Sequence, residues 1–257
     1  FGLTEPNAGS DASATQTKAV DMGDHWLLNG AKVFITNGGY ADVFVVTAMT
    51  DKSAGTRGIS AFIVEKGFEG FSIGKTEDKM GICGSSTTEL IFKDCVVPKE
   101  NLLGNLGQGF KIALSTLDGG RIGIASQALG IAQGAFDVTV EYMKSRKQFG
   151  KPLSKMQALQ FDMAEMKTRI EAARLLIYRA ANMKDKHLPY GQESAMAKYF
   201  AAETAMYVTT KAVQLHGGYG YMRDYPLERM MRDAKITEIY EGTTEVQKIV
   251  IAASIFK

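Results

Sequence analysis

The period of the hydrophobic pattern changes once along the chain, near residues 101–109. Before that point, short runs rich in β-branched and aromatic residues alternate with turn residues, which is typical of strands. These runs occupy residues 25–28, 32–36, 43–48, 59–65, 71–74 and 89–97. After that point, apolar residues recur at helical spacing. We therefore predict two domains, a middle β domain at residues 1–104 and a C-terminal helical domain at residues 105–257.

The predicted strands leave no room for helices between them. Strands connected in this way form an antiparallel barrel or sandwich rather than the parallel sheet of a Rossmann domain. The pair Asn29-Gly30 separates two of the runs and predicts a hairpin turn.

Four long helices are predicted in the second domain, at residues 110–144, from 154, at 192–215 and from 244. Short loops between long helices favour antiparallel neighbours, so we expect an up-down four-helix bundle. The fold class is therefore α+β and multidomain.

The predicted helix ends rest on capping residues. Ser154 with Gln157, and Thr244 with Gln247, have the spacing of capping boxes that open helices. Two further signals concern the third helix and a short one after it: Gly217-Gly218 predicts an end, and Pro226 a first turn.

Composition excludes several classes of function. The 30 Lys and Arg nearly balance the 28 Asp and Glu without a basic block, so neither nucleic acid nor a membrane is an expected partner. Cys83, Cys95 and the three histidines form no metal spacing and no disulfide framework, so we expect no metal and a reducing compartment. No apolar run reaches membrane-spanning length.

One carboxylate stands out by its position. Glu241 and Gly242 lie in the tight approach to the last predicted helix. A glycine beside a carboxylate lets a backbone or a flat ligand come close, and the N–H groups of a first helical turn attract anions. The segment could thus offer a base and a cofactor anchor together, or simply an exposed acid that the helix dipole favours.

Several segments resemble one enzyme family in the same order. Residues 240–247 read Tyr-Glu-Gly-Thr-Thr-Glu-Val-Gln and resemble the catalytic segment of the acyl-CoA dehydrogenases. The resemblance runs from Phe1 to Lys257 and is to the short-chain, butyryl-CoA dehydrogenase-like kind. Family members carry a helical domain before the flavin loop. Since this chain begins inside that loop, we expect that a segment has been removed or left out upstream.

The resemblance implies an activity. It is the FAD-dependent α,β-dehydrogenation of short-chain acyl-CoA thioesters to trans-2-enoyl-CoA, with Glu241 as the base for the α-proton and flavin N5 as hydride acceptor. The electron-transfer flavoprotein would reoxidise the FAD. A homotetramer built as a dimer of dimers is implied, in the cytoplasm of a bacterium or the mitochondrial matrix of a eukaryote.

The resemblance also implies cofactor contacts in the β domain. By the residues alone, segment 3–11 is a compact turn and segment 34–36 a strand. In the family, Leu3 and Thr4 meet the pyrimidine edge of the flavin, while Gly9 and Ser10 bond the pyrophosphate. Segment 34–36 follows, in which the aromatic residue packs on the flavin and the threonine bonds near its reactive nitrogen: Phe34, Ile35, Thr36.

Further cofactor contacts are implied in the helical domain, toward the FAD of a neighbouring subunit. By the residues alone, these segments are a solvated helix end and a glycine C-cap. Arg146 would bind phosphates and Phe149 adenine. The neighbour's FAD would also meet Gln157, Gln214, Leu215, His216, Gly217 and Gly218. The resemblance further implies cofactor contacts at Thr243, Thr244 and Glu245, without assigning them to a neighbour.

The implied substrate contacts centre on the first long helix. Asp118 and Arg121 form a surface ion pair by spacing alone, but in the family they meet the CoA moiety. The other implied contacts are Ser10, Tyr240 and Gly242. In a branched-chain subgroup the catalytic glutamate lies on this helix, where this chain has Gly120.

One departure and two alternatives accompany the resemblance. Cys83 stands where the family usually has Arg, which puts local ion pairing in doubt. An acyl-CoA oxidase, which passes electrons to oxygen, shares the scaffold and most motifs. A catalytically silent binding or assembly protein on the same fold is the second alternative.

Overall fold

The computed structural model describes residues 1–256 and divides into two compact units. The first contains residues 1–79 and 83–116, and the second contains residues 80–82 and the chain from residue 117 onward. The fold class predicted from the sequence, α+β with a β domain and a helical domain, is confirmed.

The first unit is built on a single seven-stranded sheet of order β5-β6-β2-β1-β3-β4-β7. Its strands are β1 Lys18–Asp21, β2 His25–Thr36, β3 Val43–Met49, β4 Ile59–Glu65, β5 Phe71–Thr76, β6 Thr87–Pro98 and β7 Leu102–Leu103. The sheet is mixed rather than wholly antiparallel, because β1 pairs with β3 in parallel. The sequence pattern did not indicate β1 or β7, which are short and carry no clear alternation.

The hairpin predicted at Asn29-Gly30 is wrong, because β2 runs through both residues. The register shifts there, which marks a bulge opposite β6. The Asn29 side chain accepts from the Asp94 backbone N–H at 2.9 Å and so fills the irregularity. Gly30 has φ +148°, and a β-carbon on it would lie 2.7 Å from Cα of Thr17. A close backbone approach, not a turn, therefore requires this glycine.

The core of the sheet follows the alternation of its strands. Leu28, Val46, Phe62 and Leu90 are wholly buried on four of the strands. Trp26 packs edge-on against Phe62 with ring centroids 5.3 Å apart.

The second unit is helical, and its predicted helices are confirmed to within a few residues. They are α1 Gly109–Ser145, whose first turns belong to the first unit, α2 Gln157–Asp185, α3 Gly191–His216, α4 Leu227–Lys235 and α5 Thr244–Ile255. A small ribbon of β8 Lys147–Gln148 and β9 Lys151–Pro152 joins α1 to α2. The core uses alanine heavily, which lets α3 approach its neighbours closely. Gly217, at φ +60°, ends α3 as predicted.

Both predicted capping boxes are wrong in detail. Ser154 lies in a 3₁₀ turn, Leu153–Lys155, and α2 begins after Met156 without a side-chain cap. Leu153 is buried in the helical core, which accounts for the tight turn there. At α5 the cap is Thr243, whose Oγ1 accepts from a backbone N–H at 3.4 Å. The Gln247 side chain bonds the carbonyls of Glu241 and Gly242, before the helix, rather than a backbone N–H of the first turn as a capping box requires.

Candidate active site

The turn before α5 holds two consecutive residues in the left-handed region. Glu241 has φ +54° and Gly242 has φ +89°. Glycine adopts this conformation freely, whereas a residue with a β-carbon pays about 1–2 kcal/mol. The surrounding structure must therefore hold Glu241 in place.

Two buried side chains hold this turn by its carbonyl groups. Nε2 of Gln247 donates to the Glu241 oxygen at 3.2 Å and to the Gly242 oxygen at 2.8 Å. Nζ of Lys198 donates to the same Gly242 oxygen at 2.7 Å. Both residues are wholly buried, one on α5 and one on α3. The base predicted from the sequence is thus fixed from two helices.

The Glu241 carboxylate packs against α1 at a glycine. A β-carbon on Gly120 would lie 2.6 Å from Oε2 of Glu241. Any side chain at Gly120 would compete with the carboxylate for the same space. The two positions at which the family resemblance places a catalytic glutamate thus meet at one point in this unit.

Two effects of its surroundings shift the pKa of Glu241 in opposite directions. Burial raises the pKa of its carboxyl above the ordinary value, and the positive charges of Arg121 and Lys198 offset only part of this. Arg121 is 5% exposed, and its Nη1 donates to Oδ1 of Asp118 at 2.6 Å. The Asp118–Arg121 pair is therefore not a simple surface pair: its cation lies inside, beside the carboxylate.

Lys198 was not predicted from the sequence. Burial lowers its pKa to about 8. The sequence does contain a signal for it: Lys198 falls on the same helical stripe as Ser194, Ala201 and Ala205, all of them buried. A lone lysine on an apolar stripe is easily interpreted as a solvated residue.

Tyr240 is also held from α1. Its hydroxyl hydrogen-bonds Oε1 of Gln127, a residue that sequence reasoning did not single out. Burial raises the pKa of Tyr240, so the phenol stays protonated at neutral pH. Asp118, Gly120, Arg121 and Gln127 follow one another on α1, so one helix carries much of the surroundings of Tyr240 and Glu241.

A groove of about 620 Å³ in the helical unit brings together residues expected to contact the neighbour's FAD. It is lined by Arg146 and by residues 214–218. The guanidinium of Arg146 lies over the Tyr219 ring, 5.3 Å from its centroid. Phe149 is 93% exposed at φ +51°, and neither Phe149 nor Gln157 is among the groove-lining residues.

His216 forms part of the same groove. Its ring stacks on Tyr142 at 3.9 Å, and Nδ1 lies 2.9 Å from the carbonyl of Ala212. The carbonyl can only accept, so Nδ1 carries the proton and Nε2 is an acceptor. Nε2 is buried and has no partner among residues 1–256. Burial lowers the pKa of His216, which favours this neutral form.

In the β unit, the expected flavin residues alternate between exposed and buried. Phe34 is 65% exposed at φ +60°, and Thr36 is exposed beside it. Ile35 is 3% exposed and points into the core of the sheet. Gly9 and Ser10 are exposed, and the segment before them is half-buried at Leu3 and Thr4.

The loop at residues 3–11 is anchored by a buried ion pair that the sequence did not reveal. Nζ of Lys32 donates to Oε1 of Glu5 at 2.6 Å and to the Leu3 carbonyl at 3.2 Å. The carboxylate of Glu5 also accepts from the backbone N–H groups of Gln16 and Thr17. Burial works to raise the pKa of Glu5, but the Lys32 charge and these hydrogen bonds outweigh it and lower that pKa.

The residues present suit a flavin dinucleotide. Phe34 offers an exposed aromatic face on strained backbone, which suits stacking. Thr244 Oγ1 is buried at the start of α5 without a partner in the described part of the chain. The neighbouring Thr243 hydroxyl is used in the cap, and Glu245 is exposed. Within the helical unit, the Thr244 hydroxyl and the unpartnered His216 Nε2 are groups that could bond a cofactor.

Among residues 1–256, no group of three or more His, Cys, Asp and Glu side chains is placed to hold a metal ion. Cys83 is exposed, and its Sγ donates to the Lys79 carbonyl at 3.2 Å. None of the helices in the described chain is long and apolar enough to cross a membrane.

Comparison with known families covers nearly the whole chain. Residues 1–95 match the middle domain of acyl-CoA dehydrogenase, and residues 107–256 match its C-terminal domain. The chain belongs to the acyl-CoA dehydrogenase family. It is thus an oxidoreductase of a flavoprotein family, and the resemblance predicted from the motifs is confirmed.

Individual relatives also belong to this family or resemble the chain closely in structure. The short-chain specific acyl-CoA dehydrogenase of Clostridium acetobutylicum is 65% identical over 257 residues, which are 100% of this chain and 68% of that protein. The structure of butyryl-CoA dehydrogenase from Megasphaera elsdenii is 58% identical with a TM-score of 0.99, covering 100% of this chain and 67% of that one. A chain in a structure described as the electron transferring flavoprotein of Acidaminococcus fermentans is 63% identical, also with a TM-score of 0.99, covering 100% and 68%. The chain spans about two thirds of the length of these relatives.

Proposed function

We propose that the chain performs the FAD-dependent α,β-dehydrogenation of short-chain acyl-CoA thioesters to trans-2-enoyl-CoA, with Glu241 as the base. The observation that carries the proposal is the buried Glu241 carboxylate, whose pKa is raised by burial, seated against Gly120. The high identity to a short-chain specific acyl-CoA dehydrogenase and to butyryl-CoA dehydrogenase supports the substrate class.

We assign roles to the residues of this site from their surroundings and from the family resemblance. The α-proton of a thioester is weakly acidic, so a desolvated carboxylate with a raised pKa is a better base than a solvated one. Glu241 takes that proton, and its backbone N–H donates to the thioester oxygen. FAD, when bound, would supply N5 as the hydride acceptor for the β-hydrogen. Asp118 and Arg121 contact the CoA moiety, and Tyr240 lies beside the acyl group.

Cofactor binding is assigned to residues of both units. In the β unit, Phe34 would stack on the flavin, Thr36 would bond near its reactive nitrogen, and Gly9 with Ser10 would bond the pyrophosphate. In the helical unit, the groove lined by Arg146 and residues 214–218 would take the adenosine side of a neighbouring subunit's FAD. Its cation suits phosphate and its aromatic lining suits a purine. The assembly we propose is a homotetramer built as a dimer of dimers.

Electrons leave the flavin to the electron-transfer flavoprotein in this proposal. The 52% identity to a subunit of the caffeyl-CoA reductase-Etf complex of Acetobacterium woodii supports that partner. An acyl-CoA oxidase would instead generate peroxide when air is admitted to the reduced protein. A catalytically silent protein would bind acyl-CoA without bleaching the flavin.

The experiment is anaerobic reduction of the FAD-loaded protein by butyryl-CoA, measured as the loss of flavin absorbance. Glu241→Gln should retain the FAD spectrum and lose about 10²–10⁴-fold in the rate of bleaching, because an amide cannot accept the proton. Glu203→Gln, which changes a half-buried carboxylate on α3 that pairs with Lys248, is the matched control and should bleach as the wild type does. Equal rates for Glu241→Gln and wild type would place the base elsewhere.

A further inference from the structure

Lys198 is a wholly buried lysine that the proposed reaction does not use. It lies on α3, and its ammonium bonds the carbonyl of Gly242 rather than a carboxylate. Burying a charged amine is costly unless the charge is compensated, so side chains of this kind rarely lie fully inside a protein. Here the buried ammonium lies next to the turn that carries Glu241 and Gly242.

The bond from Lys198 acts on the segment that most needs restraint. Glu241 and Gly242 are both left-handed, and only the glycine adopts that conformation without strain. Gln247 donates to both carbonyl groups, and Lys198 adds a second donor to that of Gly242. The backbone that aims the carboxylate is thus held from α5 and from α3.

The charge of Lys198 acts on the same site. The groups that influence it electrostatically are Glu238 before the turn, Glu241 in it, Glu245 on α5 and Arg121 on α1. Burial lowers the pKa of Lys198 most, and the three carboxylates counter this. In return, its positive charge and that of Arg121 favour the ionised form of Glu241.

We propose that Lys198 is a positioning residue for Glu241: its ammonium fixes the carbonyl of Gly242, and its charge keeps the buried carboxylate ionised. The inference rests on the proposed role of Glu241 as the base. Without Lys198 the carboxylate would be equally desolvated but would have one cation fewer beside it. Glu241 would then bind a proton at higher pH and would be an ionised base over a narrower range.

The two contributions of Lys198 can be separated by mutation. Lys198→Met removes both the hydrogen bond and the charge, whereas Gln247→Met removes a hydrogen-bond donor and no charge. Loss of a nearby cation shifts a carboxyl pKa by about one unit or more. Only the lysine variant should therefore change the shape of the pH profile, since loss of a donor slows the reaction alike at every pH.

The test is the rate of anaerobic flavin bleaching by saturating butyryl-CoA between pH 5.5 and 9, on FAD-loaded protein. For Lys198→Met, we expect the acid limb of the profile, where the rate falls as the pH is lowered, to move up by about one pH unit. The rate relative to the wild type should then be about tenfold lower at low pH than at high pH. Gln247→Met should lower the rate without moving the limb. The control Lys248→Met removes an exposed cation of α5 and should match the wild type.

A folding defect in Lys198→Met would not remove the test. Lys198→Gln keeps a neutral donor and avoids burying a charge, so it should fold and should still show the displaced acid limb. The inference would be overturned if the pH profiles of both lysine variants kept the shape of the wild-type profile, whether at the same rate or at a lower rate. If instead Glu241→Gln bleaches as fast as the wild type, the proposed function itself fails, whatever the lysine variants do.

Discussion

The carboxylate of Glu241 occupies the space that a side chain on Gly120 would need, since a β-carbon there would come within 2.6 Å of Oε2. The two residues are 121 positions apart in the sequence and meet across α1 and the turn before α5. The absence of a side chain at Gly120 is therefore a condition for the position of the Glu241 carboxylate, the proposed base.

Gly120→Ala should displace the Glu241 carboxylate while leaving the fold intact. Misplacing a catalytic group by about 1 Å can cost about 10²-fold, so we expect a loss of that order in the rate of flavin bleaching by butyryl-CoA. FAD absorbance and the melting temperature should stay near those of the wild type. Gly123→Ala is the matched control, because a β-carbon at that position on α1 meets open space. Equal rates for both alanine variants would contradict the steric argument.

The anchor of the loop at residues 3–11 gives a stability prediction. Lys32→Met leaves the buried Glu5 without its cation, and breaking such a pair costs about 3–5 kcal/mol of the free energy of unfolding. The double variant Glu5→Gln with Lys32→Met leaves no uncompensated charge and should recover much of that loss. Urea unfolding of the apoprotein measures both. A double variant as unstable as the single one would show that the charge pair is not the reason.

The same pair sets a pH dependence. Because the pKa of Glu5 is lower in the folded protein than its ordinary value of 4.5, the unfolded chain takes up a proton first as the pH falls. The stability that Glu5 contributes is therefore complete above its unfolded pKa and is lost as the pH falls through its folded pKa. In Glu5→Gln this part of the acid-induced loss of stability should be absent, which urea midpoints from pH 3 to 7 would reveal.

Phe34 and Ile35 are neighbours in β2 with opposite expected effects. Phe34 is exposed in a left-handed conformation, so Phe34→Gly should stabilise the apoprotein by about 1 kcal/mol while weakening FAD retention. Ile35→Ala empties a place in the core and should destabilise the unit by about 2–5 kcal/mol. Melting of the apoproteins and titration with FAD separate the two effects. Unchanged FAD affinity in Phe34→Gly would remove this residue from the cofactor site.

The sequence predicted elements better than their ends. The helix spans followed from long apolar stripes, which local spacing alone determines. The caps at Ser154 and Thr244 were misplaced because Leu153 is buried in the helical core and Gln247 bonds the carbonyls of the turn before α5, neither of which the spacing of a capping box reveals. Asn29-Gly30 has the composition of a hairpin, but an approaching backbone is what requires the glycine.

The candidate site was predicted unevenly for a related reason. Glu241 stood out through its motif, and Arg146 with residues 214–218 through theirs. Lys32 and Lys198 did not, because a single lysine in a sequence carries no mark of being buried and its partners come from other elements. Buried polar contacts between distant segments are the part of a site that only the folded chain reveals.

The last prediction concerns assembly. Phe149 is 93% exposed, and several other aromatic residues of the helical unit lie on its surface, which is typical of surfaces that a partner covers. We expect the FAD-loaded protein to sediment as a dimer or tetramer. Arg146→Ala should loosen FAD and, with it, the assembly, because the cation is lost from the groove assigned to the neighbour's cofactor. Lys155→Ala, which removes a cation from the turn before α2, is the control and should assemble normally. An FAD-loaded monomer would contradict the shared cofactor site and leave Phe149 and Arg146 without the role proposed for them.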